Sequence, residues 1–329
     1  MSRTNRILAV LLAVQIVLVA VAFWPKPASV AGGEGLLAGL EAEQIAQLTI
    51  SDETGNQIKL AKGLGNWVLP EADDYPCTEN KAPEFLEKIV ALKTNRLVTQ
   101  TPASHKRLKV ASDAFERRVE LELADGTTHL LYLGTSPSYG AIHVRADGQN
   151  EVYLASLSAS DAGIFASNWI DTLYFSVAQD QLVALTLENG NGSFEFEKDE
   201  AGTWTMKGLA ADEMLNENNV TGLASRIASL RMLRPLGKTE QSEYGLQEPL
   251  AVVTVQTRDG EGNTETYTIR VGAQDDEAAS ANEDNSYVVI SSESSYYVRV
   301  SEYTVEDFVG RVRDDFLELP PTPTPAPTS

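Results

Sequence analysis

Histidine and cysteine are the side chains of this sequence that would most directly bind a metal or carry catalysis. The three histidines are not spaced as in the HExxH, CxxC or HxH patterns of zinc sites. His129 and His143 lie beside apolar residues in predicted strands, and we expect both to face solvent. The single cysteine, Cys77, cannot form an internal disulfide and is predicted to fill a small apolar space. The sequence predicts no metal site and no cofactor.

Serine and acidic residues show no catalytic pattern either. The segment GTSPSYG, which begins at Gly134, comes closest to a nucleophile elbow, but Ser138 stands where GxSxG requires glycine. Asp73 and Asp74 precede a predicted helix, where acidic side chains stabilise the positive end of the helix dipole. We therefore expect a protein without enzymatic activity.

One short basic segment is a candidate interaction patch. SHKRLK, residues 104–109, contains His105, Lys106, Arg107 and Lys109, whereas the corresponding SEYGLQ, residues 242–247, has no cation. Such a patch could bind anionic lipid headgroups, glycans or an acidic partner protein. Alternatively, its cations pair with acidic side chains of the same chain.

The elements that would position these residues occur twice in the sequence. Five apolar residues at helical spacing follow Trp67, and five more follow Trp204. Each member of the second set lies 138 residues after its counterpart, the two sets being Ala82, Phe85, Leu86, Ile89 and Val90, and Val220, Leu223, Ala224, Ile227 and Ala228. A match of this length in one register indicates an internal duplication.

Each copy reads as three short strands, one amphipathic helix and about five further strands. Short turns between successive strands imply antiparallel pairing, with the helix covering one face of the sheet. We therefore predict the α+β class, with two tandem repeats. The predicted division is 1–25 for a cytoplasmic N-terminus and transmembrane anchor, 26–43 for a linker, 44–179 for repeat 1, 180–319 for repeat 2 and 320–329 for a disordered Pro/Thr-rich tail.

Three aromatic residues, Trp169, Tyr174 and Phe175, lie where the first repeat passes into the second. They could line a groove at the repeat junction that binds a small ligand. Alternatively, they pack in the core where one unit meets the next.

The N-terminal segment Ile7 to Trp24 is apolar apart from Gln15 and is long enough to cross most of a bilayer. Arg3 and Arg6 precede it, which places the N-terminus in the cytoplasm. A cleaved signal peptide is the alternative, because residues 29–32 are small. Both alternatives export the body. We expect the uncleaved anchor, and therefore a single-pass protein of the bacterial cytoplasmic membrane with an extracytoplasmic body.

The chain is strongly acidic, with 47 Asp and Glu against 26 Lys and Arg and a net charge of −21. A body of this charge repels phosphate backbones. We expect no nucleic-acid partner.

Several motifs resemble those of one family of exported bacterial proteins. EYGLQEPLAVVTVQTRDG, residues 243–260, is similar to its Tyr-Gly-Leu-x-x-Pro motif, which leads into a strand and an Asp-Gly turn. GNWVLP, YLG, IRVG, YVVI and VRDDFL also look like segments of this family, known as domain of unknown function 4340. The resemblance covers residues 44–319, although HKRLKVASDAF replaces the signature in the first copy. It implies an accessory role beside ABC transporter components of the gliding-motility type, and it brings no catalytic residues.

These observations lead to one main hypothesis and two alternatives. The main hypothesis is a non-enzymatic, membrane-anchored interaction or scaffold module with protein partners in the envelope, possible partners being ABC transporter components. The second is an extracytoplasmic binding protein that holds a small ligand or glycan between the repeats. The third is an envelope enzyme, which the absence of a catalytic pattern in the sequence makes the weakest.

Overall fold

Antiparallel β-sheet is the main regular structure in the part of the chain that the structure describes. The structure is a computed structural model, and it describes residues 33–275 and 285–318. The strands are β1 (Ile45–Ser51), β2 (Gln57–Lys62), β3 (Trp67–Leu69), β4 (Tyr75–Pro76), β5 (Leu97–Thr99), β6 (Val110–Ala111), β7 (Ala114–Phe115), β8 (Arg117–Leu123), β9 (Thr128–Leu133), β10 (Ile142–Ala146), β11 (Val152–Ala155), β12 (Leu173–Ser176), β13 (Leu182–Asn189), β14 (Gly192–Lys198), β15 (Trp204–Met206), β16 (Ser229–Arg231), β17 (Arg234–Gly237), β18 (Ala251–Arg258), β19 (Thr264–Asp275), β20 (Ser286–Ser291) and β21 (Tyr297–Ser301).

The helices of the described residues are short. The α-helices are α1 (Lys81–Val90), α2 (Glu217–Ile227) and α3 (Glu302–Val309). Single turns of 3₁₀ helix occur at Ala42–Gln44, Pro70–Ala72, Pro102–Ser104, Ala159–Asp161, Ala166–Asn168, Ser242–Tyr244 and Arg313–Phe316.

Two large sheets repeat one strand order. The first is a nine-stranded sheet with the order β4-β3-β2-β1-β8-β9-β10-β11-β5, and the second is an eight-stranded sheet with the order β15-β14-β13-β18-β19-β20-β21-β17. Once β4 is set aside, each strand of the first sheet has a counterpart at the same place in the second. We call the parts of the chain built on these two sheets the first unit and the second unit. The duplication indicated by the sequence is therefore also present in the topology.

The predicted apolar helix faces are buried against the sheets. Buried residues of α1 are Ala82, Phe85, Leu86 and Ile89, and those of α2 are Val220, Leu223, Ala224 and Ile227. These are four of the five pairs of residues predicted at equivalent positions. Trp67 and Trp204, exposed by only 5% and 6%, belong to the same core. The duplicated tryptophans are core residues.

The predicted α+β class is wrong, because the fold is mostly antiparallel β-sheet. The α-helices have 10, 11 and 8 residues, against sheets of 9 and 8 strands. A ten-residue helix is about 15 Å long and can cover about three strands, because neighbouring strands lie about 4.8 Å apart. Turns, 3₁₀ segments and the other unit cover the remaining apolar surface.

The helices of residues 33–275 and 285–318 are all too short or too polar to cross a membrane, so the part of the fold prediction that included a transmembrane helix has no counterpart among them. The segment predicted as the anchor, Ile7 to Trp24, and the predicted tail, residues 320–329, lie outside the described residues. Part of the predicted linker is well packed, because Leu36, Leu37 and Leu40 are buried in the core. One continuous apolar cluster extends from Leu36 in the first unit to Phe316 in the second.

Candidate functional site

Titratable side chains that could bind a metal lie apart in the structure. Within residues 33–275 and 285–318, no three His, Cys, Asp or Glu side chains lie close enough to bind a metal ion together. His143 is buried rather than solvent-facing, and its Nδ1 donates to the carbonyl oxygen of Thr135 at 2.7 Å. Cys77 is also buried, and burial raises the pKa of its thiol to about 12. Both side chains are therefore part of the packed interior of the protein.

The predicted basic patch is only partly a free surface. His105 is buried, and its Nε2 donates to the carbonyl oxygen of Asn150 at 2.9 Å. Lys106 pairs with Asp113 at 2.5 Å, and Lys109 pairs with Glu53 at 2.6 Å. Arg107 is exposed. Two of the four predicted residues thus pair with acids of their own unit.

Two of the three aromatic residues that were predicted to line a groove at the repeat junction are buried. Trp169 is buried, donates from Nε1 to the carbonyl oxygen of Gly163 at 2.9 Å and contacts the Phe85 ring edge-on at 5.5 Å. Phe175 is buried against Tyr267, with ring centroids 5.6 Å apart. Both rings are packed in the core, as in the alternative explanation for them, Trp169 against the first unit and Phe175 against the second.

Tyr174, the third predicted groove residue, joins the segment between the two large sheets to the second unit by hydrogen bonds. Its hydroxyl donates to the carbonyl oxygen of Tyr296 at 2.8 Å and accepts from the backbone N–H of Ser291 at 2.9 Å. Burial raises the pKa of this phenol. Nearby, β12 pairs with β16 in a separate two-stranded sheet. Because the Tyr174 hydroxyl has a donor and an acceptor in the second unit, it holds the β12 segment against that unit.

We use the term seam for the contact between the turn 70–75 of the first unit and strand β17 with Lys238 and Tyr296 of the second. The Asp73 carboxylate accepts a hydrogen bond from the backbone N–H of Lys238 at 2.6 Å. The rings of Tyr75 and Tyr296 meet edge-on at 4.8 Å, and Lys238 Nζ lies 4.6 Å from the centroid of the Tyr296 ring. Burial, followed by the nearby charge of Asp171 and other tyrosines, raises the pKa of the Tyr75 phenol to about 12.

Backbone geometry brings the two sides of the seam close together. Asp73 has a left-handed conformation with φ of 51°, which Asp tolerates better than most residues. Gly237 has φ of 101°, and a Cβ atom on it would lie 2.7 Å from Asp73 Oδ2. The conformation of position 237 favours glycine, and a side chain there would displace the Asp73 carboxylate.

An open cleft lies next to the seam. It has a volume of about 350 Å³, and residues of both units line it. Its walls combine apolar side chains with Lys59, Glu71 and Arg234. The complete lining is Asn56, Gln57, Ile58, Lys59, Leu69, Glu71, Ala72, Ile164, Phe165, Ala166, Arg234, Pro235 and Leu236. The cleft is of a size that small ligands occupy in proteins.

The sequence interpretation did not identify Asp73 and Tyr296 as contact residues. Asp73 was expected to favour the start of a helix, but it bonds across the seam instead. A signal was present, because the equivalent position in the second copy is Ala211 and an alanine has no carboxylate. Differences between the copies at this loop therefore identify the residue that joins them.

Replacing Asp73 should weaken the seam. We expect Asp73→Ala to lower the free energy of unfolding by about 1 kcal/mol more than Asp74→Ala, because only Asp73 accepts the Lys238 N–H. Asp74 is a matched control, since it is also exposed and also left-handed, with φ of 59°. Asp73→Asn retains an acceptor oxygen and should stay close to wild type. Urea unfolding measures all three variants, and equal losses for the two alanine variants would contradict this role.

Comparison with known proteins assigns the chain to a family. Residues 67–249, more than half of the chain, match the family described as Domain of unknown function (DUF4340). No curated protein and no solved structure gives a significant match. The matched region begins at Trp67 and ends at Pro249, the last residue of the Tyr-Gly-Leu-x-x-Pro motif. The resemblance seen in the sequence is thereby confirmed, and the chain belongs to the DUF4340 family.

Proposed function

We propose that this chain is a non-enzymatic interaction module of the bacterial envelope, which serves as an accessory of an ABC-type transport complex of the gliding-motility kind. The observation that carries the first half is the joining of two duplicated units by the seam. Units joined by hydrogen bonds, ring contacts and one apolar cluster offer partners a surface of fixed shape. The transport complex rests on the family resemblance.

The proposed location is the outer side of the cytoplasmic membrane. The apolar sequence from Ile7 to Trp24 and the arginines before it support this location. The net charge of −21 also favours protein partners over nucleic acid. In this location, the body formed by the two units is the part of the chain that binds the partner proteins.

Cross-linking in native membranes followed by co-purification tests this function. We expect the tagged chain to recover transporter or other envelope proteins in constant proportion, because an accessory module is bound to its complex. A second exported protein with the same tag is the matched control for non-specific capture. Recovery of the chain alone, at a cross-linker concentration that captures a known envelope complex, would contradict the proposal.

The cleft beside the seam favours a second candidate, a binding protein for a small ligand or glycan. Apolar side chains such as Phe165 and Leu236, with charged groups at Lys59 and Glu71, could hold a sugar ring and its hydroxyl groups. This candidate would place the ligand in contact with both units.

Filling the cleft tests the second candidate. We expect Ala166→Trp to abolish binding of oligosaccharides, because position 166 lines the cleft. Ala178→Trp, at an exposed position outside the cleft lining, should leave binding unchanged. Saturation-transfer NMR with a panel of short oligosaccharides gives the readout. Absence of binding to the wild-type chain, or binding that Ala166→Trp leaves intact, would exclude the oligosaccharides as cleft ligands.

A further inference from the structure

Strand β5 is an outer strand of the nine-stranded sheet and carries exposed aliphatic side chains. It pairs with β11 on one side and is the last strand in the order. Leu97 is 50% exposed and Val98 is 43% exposed. An outer strand directs alternate backbone N–H and C=O groups away from the sheet, where they can pair with another strand. The feature therefore has the chemistry of a docking edge.

The duplication shows what this position does in the other unit. Strand β17 is the counterpart of β5, since Arg234, Pro235, Leu236 and Gly237 lie 138 residues after residues 96–99. Pro235 and Gly237 are buried, and β17 packs against the 3₁₀ turn at 70–72 of the first unit. In the second unit, the outer strand at this position is thus covered by a neighbouring unit. Leu97 and Val98 show that its counterpart in the first unit is exposed.

The chain segments around β5 and around β17 also differ in charge. Residues 93–109 contain five cations and no Asp or Glu, in a chain whose net charge is −21. The equivalent residues 231–247 contain three cations together with Glu240 and Glu243. Lys93 and Arg96, which precede β5, and Arg107, in the segment that follows it, are exposed. Lys106 and Lys109 already pair with Asp113 and Glu53, whereas the first three cations form no ion pair with residues 33–275 or 285–318.

We propose that β5 is a docking strand that binds an acidic, extended segment of a partner protein by strand addition. This rests on the proposed interaction function and names the surface and the chemistry of the partner. In the seam, the covering segment supplies the Asp73 carboxylate to the N–H of Lys238, and residue 100 occupies the corresponding place beside β5. Acidic side chains of the partner segment would meet Lys93, Arg96 and Arg107.

A second copy of this chain fits the edge less well than an acidic partner does. Head-to-tail docking would present the turn 208–213 of the second unit, where Ala211 replaces Asp73. Arg313 of the same chain already bonds to the Gly208 carbonyl oxygen and to the Glu213 carboxylate. The turn that would imitate the seam is therefore occupied within its own chain.

Strand β5 has three residues, so few backbone hydrogen bonds are available to a partner strand. Much of the affinity must come from the cations and the exposed side chains of Leu97 and Val98. Binding should therefore weaken as the salt concentration rises, because salt screens charges that are exposed to solvent.

A labelled peptide of about ten residues with alternating glutamate and threonine, close to a strand in length, is the probe. We expect it to bind the full chain with an affinity at least about tenfold higher than a peptide with lysine in place of glutamate, since the edge is basic. Fluorescence anisotropy at two salt concentrations measures affinity. Hydrogen exchange of residues 97–99 should slow when the acidic peptide is bound.

Leu97→Glu places a negative charge on the edge and should weaken peptide binding at least about tenfold. Leu64→Glu is the matched control, because Leu64 is fully exposed in a turn and receives the same substitution. The double variant Arg96→Glu, Arg107→Glu tests the cations without altering β5. Unchanged unfolding midpoints for these variants show that the fold is retained.

Three results would overturn the docking strand. The first is that the acidic peptide does not bind the chain, or binds it no better than the lysine peptide does. The second is that Leu97→Glu binds the acidic peptide as well as wild type does, and the third is that the chain self-associates and Leu97→Glu removes this association. Binding to anionic vesicles with no slowing of exchange at residues 97–99 would assign the cations to lipid and would also overturn it. If co-purification from membranes succeeds and these peptide tests fail, the interaction function stands and only the docking edge is lost.

Discussion

The outer strand on the β5 and β17 side of each sheet imposes the constraint on which the arrangement of the two units depends. Such a strand has backbone groups and apolar side chains that need a partner or water. In the second unit, the turn 70–75 of the first unit covers the strand and the Asp73 carboxylate accepts the backbone N–H that follows it. In the first unit, the equivalent strand exposes Leu97 and Val98. The same structural position has thus been closed once and left open once.

Duplication followed by divergence explains where the distinctive residues lie. Positions that are alike in both copies, such as Trp67 and Trp204, are buried and maintain the two cores. Some positions that differ lie on surfaces: Asp73 corresponds to Ala211 and forms the seam. The basic residues around β5 differ from their counterparts in the same way. Surface differences between the copies are consequently the best guide to the surfaces that the protein uses.

Local patterns predicted the local structure well. The apolar spacing of residues 82–90 is enough to define a helix and its buried face, because α1 makes most of its contacts along one stripe. The same reasoning missed α3, which was not assigned. A short helix gives a clear periodic signal even when most of the structure around it is sheet. The class prediction gave that signal too much weight.

Contacts between distant segments could not be read from the sequence. His143 was expected to face solvent because strands alternate, but all five residues of β10 are buried. Residues of the hairpin β6–β7 cover the second face of this strand, and Arg145 in β10 donates to the carbonyl oxygen of Val110 at 2.6 Å. The prediction of a groove lined by the junction aromatic residues was affected in the same way. Only the folded chain shows that the Tyr174 hydroxyl donates to the carbonyl oxygen of Tyr296.

The central claim is that the seam holds the two units in one fixed arrangement. Spin labels on cysteines introduced at the exposed positions Leu64 and Glu261 report the distance between the units, and Cys77 stays unlabelled because burial raises the pKa of its thiol to about 12. Double electron–electron resonance should give one narrow distance distribution, which broadens when Asp73→Ala and Tyr296→Ala are combined. A broad or bimodal distribution with the seam intact would contradict the account.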